Sequence, residues 1–490
     1  MTTLVAAGCS GGSASGPARH AARPATTTST TTEPVHGTPG AVDAGDPVTP
    51  GVGNGGFDIG HYDLTFDTSA GDGSMVATAV IDATATQDLS AFDLDLRGFT
   101  VDSVSIASPQ ATSKSGSTKS DATFTRVGDE LVLAPARAIA RGGAFTTTVR
   151  YHGTPGGVID PTAPGRIGWL TGQSGSFVAA EPIGATGIYP CSDHPSDKAT
   201  YDIHVVAPSA ATVAANGVQT EHRVTGATTR WSFSMPEPMA TYLVQVAIGD
   251  YDVITATGPH GLPLRSLVAR HLPASRRATL ASIGDQISYF ETLFGPYPFA
   301  TYGVLVADSP PQYALETQTL SLFPVSWFEG DSGTDLTTVE AHELAHQWFG
   351  DAVTPARWSD IWLNEGFATY AEWLWDDHAG IDPLQRSVDT AMRSAPSWRR
   401  NFGAVIHPNR AAGLFSPNEY DGAAIVLAAL RRTIGDGPFF TLLQRWVTDH
   451  EGASVTTADF EAEAAAVSGR DLGSFFDAWL NSSTVPPFPS

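Results

Sequence analysis

The stretches VEAHELAHQWFGD (residues 339–351) and WSDIWLNEGFATYAEW (residues 358–373) decide the fold of the carboxyl-terminal half of the chain. On a helix, His342 and His346 lie four residues apart, so both imidazoles project from one face at a separation that one metal ion can bridge. Glu365 follows His346 after eighteen intervening residues and offers an anionic oxygen. Two histidines and a glutamate leave the fourth tetrahedral position of zinc open, as in catalytic sites. The sequence therefore predicts one zinc ion per chain, bound by these three residues.

Local sequence signals predict a helix on each side of this site. Thr337 and Glu340 form a capping-box pattern before the first helix, and Gly350 lies where a C-terminal cap belongs. The second helix carries Glu365, and its apolar residues recur at helical spacing: Leu363, Phe367, Tyr370, Ala371 and Leu374. Both elements belong to an α-rich region.

Glu343 lies between the two histidines and is not needed as a ligand. Its predicted role is that of a general base, which takes a proton from water during attack and passes it to the departing amine. Zinc would polarise the scissile carbonyl and activate water near neutral pH. The alternative is a pair of surface histidines and a solvated glutamate, which the fixed spacing of Glu365 disfavours. The pattern favours a zinc peptidase.

Composition limits the class of protein. A chain of 490 residues is too long for one core and predicts two or more domains, and 42% hydrophobic residues is typical of a globular protein. Because the formal net charge is -24, the protein should repel phosphate backbones, and we expect no nucleic-acid partner. A stretch of about 18 apolar residues, as a membrane-spanning helix requires, is absent from the sequence.

The first residues resemble an export signal. MTTLVAAGC, residues 1–9, is similar to the end of a bacterial lipoprotein signal, and lipid attached to Cys9 would be the route of membrane contact. Residues 10–55 are rich in Ser, Thr, Ala, Gly and Pro and are predicted to form a disordered linker. We therefore expect an exported protein, either a cell-surface lipoprotein or a secreted one. Cys191 is the other cysteine and is predicted to be a buried free thiol.

Hydrophobic periodicity divides the remainder into two domains. Apolar residues alternate with period two from about residue 56 to 253, as in Tyr62, Leu64 and Phe66, which predicts an all-β domain over residues 56–262. Residues 263–490 form the predicted catalytic domain, with a helix over 274–293, strands near 303–307 and 318–323, and mostly helices thereafter. His194, His378 and His407 are interpreted as structural or surface groups.

Residues 56–490 resemble the aminopeptidase N and leukotriene hydrolase family of gluzincins, as a short two-domain member with lipoprotein-like features. The zinc signature of that family matches His342, His346 and Glu365. The resemblance implies an α+β multidomain fold, in which an all-β, saddle-like domain precedes a thermolysin-like, α-rich zinc peptidase domain.

Two further motifs of the family imply residues that bind a free amine. YALET, residues 313–317, is a divergent form of the exopeptidase motif and implies that Glu316 binds the amino terminus of the substrate. AEPIGATGIYPCSDHPSDKA, residues 180–199, places Glu181 at the position of a second amine-binding acid. The implied partners are peptide substrates with a free N-terminus.

The resemblance also implies a catalytic tyrosine. EYDGAAIVLAAL, residues 419–430, matches the motif that carries it and identifies Tyr420. A protonated phenol there would stabilise the negative charge that develops on the former carbonyl oxygen.

Two other functions remain open at this point. A thermolysin-like endopeptidase would share His342, Glu343, His346 and Glu365 but would have no use for an amine anchor. A non-catalytic, surface-tethered binding protein would keep the scaffold without turnover. Peptides with a blocked N-terminus discriminate between the two peptidase hypotheses.

Overall fold

The computed structural model describes residues 36–108, 119–163, 165–308, 313–329, 336–406 and 413–490. Cys9 and the predicted signal remnant lie outside these ranges, as do residues 10–35 of the predicted linker and His407. Within the described part of the chain, we find no helix that combines the length and the apolar character needed to cross a membrane.

The amino-terminal part of the structure is built from strands. In chain order they are β1 (Thr38–Pro39), β2 (Phe57–Asp67), β3 (Met75–Ala85), β4 (Leu89–Asp95), β5 (Thr100–Ala107), β6 (Lys119–Asp121), β7 (Thr123–Val127), β8 (Glu130–Ala134), β9 (Ala144–Gly153), β10 (Gly157–Ile159), β11 (Arg166–Gly172), β12 (Gly175–Ala179), β13 (Ala199–Pro208), β14 (Thr212–Ala215), β15 (Val218–Thr225), β16 (Thr228–Met239) and β17 (Val246–Gly249). Their sheets have the orders β15-β16-β13-β2-β3-β9-β5-β6, β10-β11-β12-β17-β14 and β1-β4-β8-β7.

In strands such as β2, β3, β9 and β13, side chains alternate between a buried and a more exposed face, as the period-two pattern predicts. In β13, the buried set includes Tyr201, Ile203 and Val205. Tyr201 stacks on Tyr62 of β2 with ring centroids 4.9 Å apart. Cys191 lies fully buried in the same core as a free thiol.

A mixed sheet and a group of helices form the rest of the structure. The sheet has the order β18 (Tyr251–Thr257), β19 (Pro263–Ala269), β20 (Val304–Ala307) and β21 (Ser321–Pro324). The helices are α1 (Ile283–Phe294), α2 (Val325–Glu329), α3 (Leu336–Ala345), α4 (Trp362–Ala379), α5 (Leu384–Phe402), α6 (Asp421–Ile434), α7 (Asp436–His450), α8 (Thr457–Ser468) and α9 (Gly473–Leu480), and the short strands β22 (Thr354–Pro355) and β23 (Ser454–Val455) pair with each other. A β-rich domain followed by a helical one confirms the predicted fold class.

Helix α4 lies at the centre of this helical region, buried along most of its length. Gly366 lets it approach α6, because a Cβ at that position would lie 2.5 Å from the Cβ of Ala423. The predicted capping box before α3 is wrong, since Thr337 and Glu340 lie inside the helix and Glu340 accepts a hydrogen bond from Ser282 Oγ (3.0 Å).

The prediction of a disordered linker does not hold for residues 36–55. Val48 is buried in the core of the β-domain, and Asp46 Oδ2 accepts a hydrogen bond from the backbone N of Trp358 (2.8 Å). Strand β1 also pairs with β4. The contacts of Val48 and Asp46 help to order this segment. Its composition alone did not indicate these contacts. The predicted boundary between residues 262 and 263 falls in the turn between the paired strands β18 and β19.

Candidate metal centre and substrate cleft

Helices α3 and α4 bring the three predicted metal ligands together. Nε2 of His342 lies 3.2 Å, and Nε2 of His346 lies 3.4 Å, from the same carboxylate oxygen of Glu365. One ligand atom from each residue lies within 4.8 Å of the other two, and all three residues are buried. Coordination of one ion by all three would need small movements only.

The opposite nitrogen of each imidazole faces an oxygen. His342 Nδ1 lies 3.2 Å from Glu372 Oε2, and His346 Nδ1 lies 3.1 Å from the carbonyl oxygen of Phe349. We assign the proton of each ring to Nδ1, which leaves the Nε2 lone pair free for a metal. The donor set of two neutral imidazoles and one carboxylate fits zinc.

Glu372 is a site residue that the sequence analysis missed. It lies seven residues after Glu365, which on a helix is two turns along the same face. A search of α4 at that spacing could have identified it. Its carboxylate orients the His342 ring through Nδ1, the nitrogen that does not face the metal position.

Electrostatics support an ionised Glu365. Burial raises the pKa of this carboxyl, but in the metal-free site the protonated imidazoles of His346 and His342 outweigh that effect and lower the pKa to about 2. An anionic oxygen is what a zinc ligand at this position has to supply.

Glu343, on the same face of α3, is also buried. In the metal-free site, burial, opposed by His342 and His346, raises the pKa of its carboxyl to about 8, and the charge of a bound zinc ion would lower it. A carboxylate oxygen of Glu343 lies within 4.8 Å of one from Glu316 and of a nitrogen of His346. Glu343 therefore adjoins both the predicted metal position and the predicted amine anchor.

The two predicted amine anchors reach one cleft from different parts of the chain. Glu316 Oε1 accepts a hydrogen bond from Asn364 Nδ2 (3.2 Å), whereas Oε1 of Glu181 has no hydrogen-bond partner among the described residues. Burial raises the pKa of both carboxyls, and at Glu181 the nearby Glu316 raises it further. The cleft thus holds more negative charge than its surroundings compensate, as expected for a site that binds cations.

Tyr420 immediately precedes α6 and faces the metal ligands. Its ring lies nearly parallel to that of His342, with centroids 6.0 Å apart and an interplanar angle of 16°. Burial raises the pKa of its hydroxyl well above the usual value, so the phenol stays protonated and can donate. All seven predicted site residues line the same cleft: Glu181, Glu316, His342, Glu343, His346, Glu365 and Tyr420.

Apolar side chains and Glu372 form the remaining walls. Tyr313, Trp327, Val339 and Phe415 line the cleft, together with Ala314. None of the lining residues that the structure describes is a lysine or an arginine. The cleft is consequently both apolar and acidic.

Family models match most of the chain. Residues 59–243 match the peptidase M1 N-terminal domain, and residues 279–479 match the peptidase family M1 domain. Among curated proteins, the glutamyl aminopeptidase of Bos taurus is 29% identical over 339 residues, which are 64% of this chain and 35% of the relative. Aminopeptidase M1 of Arabidopsis thaliana is 27% identical over 323 residues, which are 62% of this chain and 36% of the relative. The chain thus spans about a third of the length of these relatives.

Solved structures match over a larger share. A mutant M1 zinc metallopeptidase from Deinococcus radiodurans, bound to a Tyr-Ser-Ala substrate, is 30% identical, with a TM-score of 0.80. The match covers 91% of this chain and 99% of that one. A mutant two-domain M1 zinc metallopeptidase bound to L-tryptophan has the same identity and TM-score. That match covers 91% of this chain and 100% of the other chain.

Proposed function

Because this chain belongs to peptidase family M1, we propose that it is a zinc-dependent aminopeptidase that removes N-terminal residues from peptides. The observation that carries this proposal is the pair of buried carboxylates, Glu181 and Glu316, on the cleft that contains the three metal ligands. An endopeptidase has no need for two such acids beside its metal. An ammonium group of the substrate would compensate their charge.

Each group in the cleft has a chemical role in this proposal. Zinc held by His342, His346 and Glu365 would polarise the scissile carbonyl and activate water. Glu343 takes the proton from the attacking water and delivers it to the departing amine. The Tyr420 hydroxyl donates a hydrogen bond to the carbonyl oxygen as negative charge develops there.

Glu181 and Glu316 determine where the chain is cut. Because both carboxylates are fixed in the cleft that holds the metal ligands, an ammonium group bound between them sets the distance from the N-terminus to the attacked carbonyl. We expect this distance to accommodate one residue, so that the enzyme releases single amino acids.

Blocking the amino terminus tests this function. We expect N-acetylated peptides to have a kcat/KM at least about a hundredfold lower than the free peptides, because two charge-assisted contacts are lost. The measurement is hydrolysis of matched free and acetylated peptides by the zinc-loaded enzyme, with a chelator-treated sample as the blank. Equal cleavage of both would favour the thermolysin-like endopeptidase instead.

The walls of the cleft predict a preference for the side chain of the first residue. Tyr313, Trp327 and Phe415 offer apolar surface, whereas the surrounding carboxylates repel an acidic side chain. We expect leucyl and aromatic aminoacyl substrates to exceed glutamyl substrates by about a hundredfold in kcat/KM. That ratio is about 2.7 kcal/mol, less than the roughly 4 kcal/mol of one like-charge contact at 4 Å and an effective dielectric constant near 20. A panel of fluorogenic aminoacyl substrates measures this, and a faster glutamyl substrate would contradict it.

The signal-like first residues also support a proposal about the cellular location of the protein. We propose that the protein is exported with a lipid on Cys9, on the basis of the signal-like residues 1–9 and the small polar residues that follow. Intact-mass analysis of protein from the membrane fraction tests this, and an unmodified Cys9 there would contradict it.

A further inference from the structure

The short turn that carries Glu316 has an unusual backbone. Residues 316–320 are buried, and Thr319 has a φ of 66°, in the left-handed region. A β-branched residue is unfavourable there, and such a conformation persists when the surrounding structure holds it. The turn also explains why the strand predicted over residues 318–323 begins at Ser321 instead.

The metal-binding segment holds this turn from one side. Gln347, which follows the ligand His346, donates from Nε2 to the carbonyl oxygen of Glu316 (2.9 Å). Its Oε1 accepts a hydrogen bond from the backbone N of Thr319 (2.8 Å). One amide side chain thereby spans the turn and ties it to the end of the ligand helix.

The β-domain holds the turn from the other side. The backbone N of Gly217 donates to Thr319 Oγ1 (2.7 Å), and Asn216 Nδ2 donates to the carbonyl oxygen of Gln318 (2.7 Å). Gly217 lies in a tight position, since a Cβ there would lie 2.1 Å from the carbonyl oxygen of Ser234. The Thr319 hydroxyl therefore meets a donor that has little room to move.

Hydrogen bonds also connect the strand that leads to Glu181 with the same part of the β-domain. Gln245 accepts a hydrogen bond from the backbone N of Val178 at Oε1 (3.1 Å), near the end of the strand that leads to Glu181. The backbone N of Gln245 in turn donates to Asn216 Oδ1 (2.6 Å). Asn216 is thus linked to both amine anchors, through Gln245 on one side and Gln318 on the other.

We propose that Thr319 is a positioning residue for the amine-binding site: its hydroxyl, held by the Gly217 N–H, fixes Glu316 relative to Glu181. The inference rests on the proposed function, because it takes Glu316 as a contact of the substrate amine. Without the hydroxyl, the Gly217 N–H loses its buried acceptor, and the remaining bonds from Gln347 and Asn216 hold the turn less firmly. The substrate amine then binds less tightly, while the groups that act on the carbonyl stay in place.

Three substitutions separate positioning from stability. Thr319→Ser keeps the hydroxyl, Thr319→Val removes it with little change of shape, and Thr319→Gly removes it while suiting the left-handed backbone. We expect KM for free aminoacyl substrates to rise about tenfold in the Val and Gly variants and to stay near the wild-type value in the Ser variant. In all three, kcat and zinc content should change little. If the Val variant fails to fold, the Gly variant gives the result, and a wild-type KM for Thr319→Gly would overturn the proposal.

A double-mutant cycle identifies the group through which Thr319 acts. In a Glu316→Gln background, Thr319→Gly should add less than about twofold to KM, because the anchor it positions is already lost. The same tenfold effect in both backgrounds would overturn the proposal. A wild-type enzyme that cleaves acetylated peptides equally well would overturn the proposed function and this inference together. This inference alone would be overturned if the wild-type enzyme requires the free amine but the Thr319→Ser, Thr319→Val and Thr319→Gly variants all have the wild-type KM.

Discussion

Replacement of Glu343 with glutamine is expected to lower kcat by about 10³- to 10⁴-fold, the upper part of the range for loss of a general base. Glutamine has almost the same shape as glutamate but cannot accept a proton from water. Glu343 lies outside the set formed by His342, His346 and Glu365, so zinc should remain bound at one per chain. Retained metal together with lost turnover would identify the residue as the base.

Metal analysis and steady-state kinetics on the same preparation measure this outcome. Glu372→Gln is the contrasting variant, because Glu372 contacts His342 Nδ1 and is not the residue proposed to take the proton from water. It should bind zinc about 10- to 100-fold less tightly and recover activity when zinc is added. If Glu343→Gln lost zinc instead, the second cluster of Glu316, Glu343 and His346 would become the better assignment of the metal site.

Local periodicity was enough to predict the helical part of the site. His342, Glu343 and His346 share one helix face by their spacing, and the residues after Glu365 carry a helical apolar pattern, so both elements follow from rules that act over a few residues. Glu181, Glu316 and Tyr420 are distant from that helix in sequence. Only the resemblance to a family linked them to it, because spacing along the chain carries no information about such contacts.

Other features depend on tertiary contacts that no local pattern records. Thr319 is neither glycine nor asparagine, so nothing in the sequence indicates its left-handed backbone, which the partners Gln347 and Gly217 hold in place. Residues 36–55 have the composition of a linker, yet Asp46 bonds to the backbone of Trp358, more than three hundred residues later. The capping pattern at Thr337 did not mark the start of α3, since the helix is already formed at Leu336.

Replacement of Tyr420 with phenylalanine is expected to lower kcat by about 10²- to 10³-fold, the usual cost of removing one donor to a developing oxyanion. The substitution keeps the ring that lies parallel to His342 and removes only the hydroxyl. Zinc content should therefore be unchanged, and KM should change little, because the hydrogen bond forms chiefly in the transition state.

Tyr313→Phe is the matched control for this measurement. Tyr313 lines the same cleft, but its hydroxyl donates to the carbonyl oxygen of Arg166 (3.2 Å) and is thus committed to the backbone. Loss of that hydroxyl should leave kcat within a few fold of wild type, since it removes one exposed hydrogen bond worth about 1 kcal/mol. If both variants lost activity equally, the effect would reflect general disturbance of the cleft. If Tyr420→Phe kept wild-type kcat, the oxyanion would have to be stabilised by the metal and other donors, and the position of Tyr420 beside His342 would serve packing.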